Sequence, residues 1–169
     1  RVGREELPVV RQPIGDYARK INSGWRATTE PLMFFGADDL DFHAGWFEAA
    51  VAHLRPGIGV VGTNDLGSPR VIAGEHSTHS LVTRHYVDHY GLVDQMGYAL
   101  YEGYPHEYGD DEQVGTAKKR GAWAMALDSH VEHLHPNWGK APNDPMYQQQ
   151  VMRMRMGWRI HNQRRRLWT

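Results

Sequence analysis

The sequence predicts an α/β domain built on a mainly parallel sheet, and three observations carry that expectation. Short apolar runs, PLMFF (31–35), IGVVGT (58–63) and AWAMAL (122–127), have the length of buried strands and are bounded by glycine or proline. Between the first two lies AGWFEAAVAHL (44–54), which reads as a helix stopped by Pro56 and Gly57. Strand, helix, strand is the unit from which parallel sheets are assembled.

The remaining elements follow along the chain. DYARKINSGWRA (16–27) spaces Tyr17, Ile21 and Trp25 at helical intervals. From Asn64 to about Gly109 turn residues mix with one helical piece around VTRHYVDHYG, and His and Tyr are frequent. DDEQVGTAKKRG (110–121) predicts a helix with acids at its start and bases at its end, the order that complements a helix dipole. After the turn-rich HPNWGKAPNDP (135–145), residues 146–167 predict a terminal helix whose Met152, Met156, Trp158 and Ile160 face a core, as does Trp46 earlier. No repeat or low-complexity linker interrupts the sequence, so one domain over residues 1–169 is expected.

Composition narrows the chemistry. With 169 residues and 40% apolar content the chain can bury a core. A net charge of −1 and a pI near 6.9 argue against bulk nucleic-acid binding, so no nucleic-acid partner is expected. Cysteine is absent, which excludes disulfides and thiolate metal sites; any metal falls to carboxylates and the eleven histidines. No apolar run approaches the ~20 residues that cross a bilayer, and a cytoplasmic location is the expectation.

The most informative stretch is PLMFFGADDLDFHAGW (31–46), where a strand runs into Asp38, Asp39 and Asp41. In open α/β sheets ligands sit beyond the carboxyl ends of strands. Like charges this close need solvent or a cation, and oxygen ligands of this kind suit Mg²⁺ or Mn²⁺. The ordinary alternative is a solvated turn with Asp41 capping the next helix.

The pattern FFGADD, then GWFEAAV, then a buried strand resembles the GT-A nucleotide-diphospho-sugar transferase fold, most closely the family 2-like glycosyltransferases. Across roughly residues 14–150, three further segments agree in order. ARKINSG is similar to the helix beside the nucleotide, and the resemblance places Lys20 and Asn22, with Asp38 and Asp39, at the donor. YGDDEQVGTAKKRG resembles the segment whose second acid is the catalytic base of inverting members, which implies Asp111, with Asp110 as alternate or orienting neighbour. HLHPNWGKAPND resembles the segment whose histidine completes the metal site, giving Asp39, Asp41 and His135 as ligands of Mn²⁺ or Mg²⁺. Asp65, Arg84 and Trp138 are implied as lining the sugar or acceptor pocket. Two departures stand out: the motif's usual first acid falls at Gly36, and nothing before residue 14 reads as the family's base-binding βαβ unit, of which part is lacking.

The resemblance implies a metal-dependent, inverting glycosyltransferase. Its donor is a nucleotide-diphospho-sugar and its acceptor a glycan, lipid-linked sugar or protein. Two alternatives belong to other classes: a His/Asp metallohydrolase, and a noncatalytic nucleotide- or carbohydrate-binding remnant. His85 and His89 have the i, i+4 spacing of a helical zinc pair but lack the glutamate of HExxH. His130 and His133 read as structural histidines. Between residues 152 and 168 stand six arginines. They form either a solvated helix face or a basic amphipathic surface for anionic headgroups, a peripheral membrane contact.

Overall fold

The computed structural model describes residues 17–143 and 145–169. The elements run α1 (Tyr17–Ala27), β1 (Leu32–Phe35), β2 (Leu40–Phe42), α2 (Trp46–Ala52), β3 (Val60–Asn64), α3 (Pro69–Ile72), β4 (Ser80–Thr83), α4 (Arg84–His89), α5 (Gly109–Lys119), β5 (Trp123–His133) and α6 (Pro145–Arg165), with a 3₁₀ turn at Pro136–Trp138. The expected lack of part of a βαβ unit concerns residues ahead of position 17, outside the described residues.

The α/β class holds, but the mainly parallel sheet does not. The five strands lie in the order β1-β4-β3-β5-β2. Only β3 and β5 pair in parallel; β1 with β4, β3 with β4, and β2 with β5 are antiparallel. β1, β3 and β5 do run in one direction, as the strand–helix–strand reading requires, but the reversed β4 sits between β1 and β3. Periodicity reports which face of a strand is buried, not which strand lies beside it.

Alternation along the strands divides the core between the two faces of the sheet. Phe35, Val60, Val82 and Ala122 point to one side with Tyr86 and Val87 of α4 and Ala117 of α5, against Ile21 and Trp25 of α1. Val61, Leu81 and Ala126 point to the other with Ala50, Val51 and Leu54. Covered on both faces, the strands carry continuous apolar runs rather than a polar alternation.

β5 is longer than AWAMAL because it serves two partners. Its first residues pair with β3 up to Thr63↔Ala126, and the register then jumps to Asn64↔His130. The slack residues bulge out, with the Asn64 amide donating to the Leu127 carbonyl at 2.9 Å. Beyond the bulge, residues 131–133 pair with β2, so the irregularity carries His133 to the loop that holds the acids.

α6 departs from expectation in what it buries. Met156 and Trp158 are exposed, and Trp46 is only half-buried, against Phe34 and Phe42; the side chain of Met152 lies outside the described residues. The face that packs is Gly157, Ile160, Arg164 and, past the helix end, Trp168, spaced three or four residues apart. Arg164 therefore replaces the apolar stripe as the anchor. No helix among the described residues is long and apolar enough to cross a membrane.

Candidate functional site

Side chains of four residues meet where the loop after β1 touches the tail of β5. Nε2 of His133 lies 3.2 Å from Oδ1 of Asp39, and the Tyr147 hydroxyl donates to Oδ2 at 2.7 Å. The His135 ring packs 4.9 Å from that of His133 and 4.8 Å from that of Tyr147, between centroids. Behind them, the His79 ring stands edge-on to His133 at 4.8 Å. The backbone fixes this meeting: His133 N–H donates to the Asp65 carbonyl and Leu134 N–H to the Asp39 carbonyl.

A second acid motif approaches from α5. Asp110 pairs with Nε2 of His76 at 3.1 Å, and Asp111 accepts from Arg70 at 2.9 Å. Burial pushes the Asp110 carboxyl up, but the His76 hydrogen bond and charge and the backbone N–H groups of the helix start outweigh it and hold the carboxyl below its ordinary range. The charges of Asp39 and Asp110 both act on His79. Burial and the charges of Asp110 and Asp111 push Glu107 up to about 7. Ahead of the second motif, Tyr108 takes a left-handed φ of 75°; next to Asp65, Leu66 takes 54°. Non-glycine residues in that region mark places where surrounding structure overrides local preference.

His79 gives the site a pH signature. It is 3% exposed, and burial, with the charge of His133, lowers its imidazole from 6.5 to about 4. The unfolded chain binds this proton more readily than the folded one. The contribution is therefore complete above the unfolded value and is lost as pH falls toward about 4. It amounts to about 3 kcal/mol, so urea denaturation should show stability falling between about pH 7 and 4, and His79→Gln should flatten that slope. An equally steep slope in the variant would remove His79 as its source.

The other residues singled out from sequence are dispersed. Lys20 and Asp38 are exposed, and both charges bear on His106. Asn22 is fully buried: its amide donates to the Leu100 carbonyl and Glu102 and accepts from the backbone of Ala99 and Leu100, which uses its hydrogen-bonding capacity. Asp65, also fully buried, accepts from Gly67 and Ser68 N–H and the Thr78 hydroxyl. Arg84 binds the Glu30 and Trp25 carbonyls beside the opposite end of β1 from the acids. Trp138 packs on Gly67, where a Cβ would overlap its indole, 6.4 Å from His135. His85 and His89 stack on each other at 4.4 Å on an exposed turn of α4.

The ligand set Asp39, Asp41 and His135 does not assemble in this arrangement. Asp41 pairs across the ladder with Glu132, on the face opposite Leu40 and His133, and joins His43 and Glu132 instead. Both oxygens of Asp39 are engaged. Nδ1 of His135 accepts from Asn137 N–H, which in the neutral ring leaves the proton on Nε2, the wrong tautomer for ligation through that nitrogen. The described groups of three whose ligand atoms lie within 4.8 Å of one another are Asp41, His43, Glu132 and His76, Asp110, Asp111.

His76, His79, His133, Tyr147 and Glu107 were not singled out from sequence as functional. GEHSTHS has no motif spacing, and its histidines matter only because β4 threads between β1 and β3. Compared with protein-family models, curated proteins and solved structures, the chain matches none.

Proposed function

We propose that this chain transfers a sugar from a nucleotide-diphosphate donor to an acceptor hydroxyl with inversion, as its resemblance to the GT-A family 2-like transferases implies. The observation that supports the reading is that the charges of Asp39 and Asp110, from opposite halves of the chain, both act on the buried His79. An inverting displacement needs one group beside the departing diphosphate and one carboxylate beside the incoming hydroxyl. Asp110 takes the second role because it is held by His76 and its charge acts on His79, whereas Asp111 is paired with Arg70. The acceptor oxygen bonds to the anomeric carbon as its proton passes to Asp110. The bond from that carbon to the diphosphate breaks, and its electrons leave with the nucleoside diphosphate. His76 positions the base, and Lys20 and Asp38, both exposed, are the donor-facing residues that the resemblance implies. The acceptor is a glycan, a lipid-linked sugar or a protein.

Dependence on Mn²⁺ or Mg²⁺ belongs to the proposal, and since Asp39, Asp41 and His135 do not come together, Asp41, His43 and Glu132 would hold the ion. A panel of uridine and guanosine diphosphate sugars, with and without Mn²⁺, reads both points. Nucleoside diphosphate should appear in step with glycosylated acceptor. Binding without turnover would make the chain a noncatalytic remnant. The grouping of His76, Asp110 and Asp111 favours one other reading, a metallohydrolase, which would turn over ester substrates with no sugar nucleotide present.

A further inference from the structure

A cavity of about 460 Å³ opens between α3, α5 and the end of α6. Arg70, Lys118, Lys119 and Arg165 line it, against only the carboxylates of Glu75 and Asp111. Four fixed cations and two carboxylates leave its wall with two uncompensated positive charges. Some of the donor capacity is committed: Arg70 reaches Asp111, Lys118 donates to the Glu75 carbonyl, and Lys119 donates to the Leu167 carbonyl at 3.0 Å. Arg165 has no side-chain partner among the described residues, although it stands at the mouth of the same cavity. Like charges are not gathered around a cavity without cost, and an anionic occupant would offset their repulsion.

A second observation comes from inside. His76 also lines the cavity, is 4% exposed, and leaves Nδ1 buried with no hydrogen-bond partner while Nε2 is held by Asp110. Buried ring nitrogens are ordinarily satisfied, so His76 is held against the cavity wall at the cost of one unpaired nitrogen.

We propose that this cavity binds the phosphate group of a small phosphorylated molecule. A phosphate monoester carries about −1.5 to −2 charges at neutral pH, which matches the excess on the wall, and its oxygens can accept from guanidinium and ammonium donors on three different elements. A carboxylate would neutralise half of that excess and reach fewer of the donors. If the transferase reading also holds, the cavity anchors a phosphorylated acceptor, because Asp111 joins it directly to Asp110; the binding itself does not rest on that reading.

Calorimetric titration with inorganic phosphate and with phenyl phosphate, at constant ionic strength set by sodium chloride, tests the site without any sugar nucleotide. Both should bind saturably. Arg165→Gln and Lys119→Met should each weaken binding about tenfold, the loss expected for one charge-assisted hydrogen bond. Affinity should also fall below about pH 6, where the dianion takes up a proton. Because Lys119 holds a backbone carbonyl, Arg165→Gln is the decisive variant, with circular dichroism reporting that it folds. Phosphate affinity unchanged in Arg165→Gln, or heat that follows ionic strength without saturating, overturns the proposal.

Discussion

Replacing Arg164 with methionine should cost about 3–5 kcal/mol of folding stability, the loss expected when one partner of a buried ion pair is removed. Its guanidinium donates to both oxygens of Glu112, at 2.6 and 2.8 Å, and bidentately to Asp94, at 2.8 and 3.0 Å, while lying 3.6 Å over the Tyr101 ring. Glu112 is 1% exposed and accepts also from the Tyr104 hydroxyl, so without Arg164 it keeps a buried charge facing one neutral donor. Burial raises the Tyr104 hydroxyl, and the Glu112 charge raises it further, so the phenol remains a donor and cannot supply the missing cation. The exposed Asp94 adds little to this cost; Glu112 carries it. The same event would release the end of α6, where Trp168 packs on Gly115 so closely that a Cβ would overlap the indole. Urea denaturation of Arg164→Met measures the effect. The double variant Arg164→Met, Glu112→Leu should regain part of the loss, since an apolar pair leaves no uncompensated charge. A single variant within about 1 kcal/mol of the parent would show that the network contributes little.

That anchor also shows where sequence reading ends. Apolar runs and helical spacing made α1, β1, α2, β3, α5 and α6 legible, because burying a face imposes a period that survives in the residues. Partners impose no such period, so the insertion of β4 between β1 and β3 was invisible. The three-residue β2, flanked by acids, is too short to show alternation. Six arginines on a polar helix read as a solvated or headgroup-facing surface; that one of them is 12% exposed follows from the acids it meets, Asp94 and Glu112, which sequence places far away. At the site, the resemblance drew attention to Asp39 and His135, which both lie beside His133 and Tyr147. It could not say that Asp41 would turn to the other face of β2, because one acid before a strand and one inside it answer to different geometry.

The two acids that open α5 are the sharpest case, and they carry the largest expected effect on activity. Neighbouring residues on a helix point about 100° apart, so Asp110 and Asp111 cannot share a role even though sequence presents them as equals. Asp110 faces His76, and its charge reaches His79, His106 and Tyr17; Asp111 meets Arg70 at the cationic cavity. If Asp110 accepts the acceptor's proton, Asp110→Asn keeps the shape and a hydrogen-bonding group while removing the basic oxygen. Turnover at saturating donor and acceptor should then fall about 10²–10⁴-fold, with donor affinity within a few-fold of the parent. Asp111→Asn should leave that rate near the parent's, because its carboxylate is engaged by Arg70 at the cavity. The pair of variants separates base from bystander more firmly than either alone, since general loss of structure at the start of α5 would slow both. A reversed pattern, with Asp111→Asn inactive and Asp110→Asn near normal, would return the base role to Asp111 and require the acceptor to approach through the cavity lined by Arg70. Equal, near-parent rates in both would take the proton-accepting role away from α5 and leave Glu107, whose carboxyl is raised to about 7 beside them, as the nearest group able to take it.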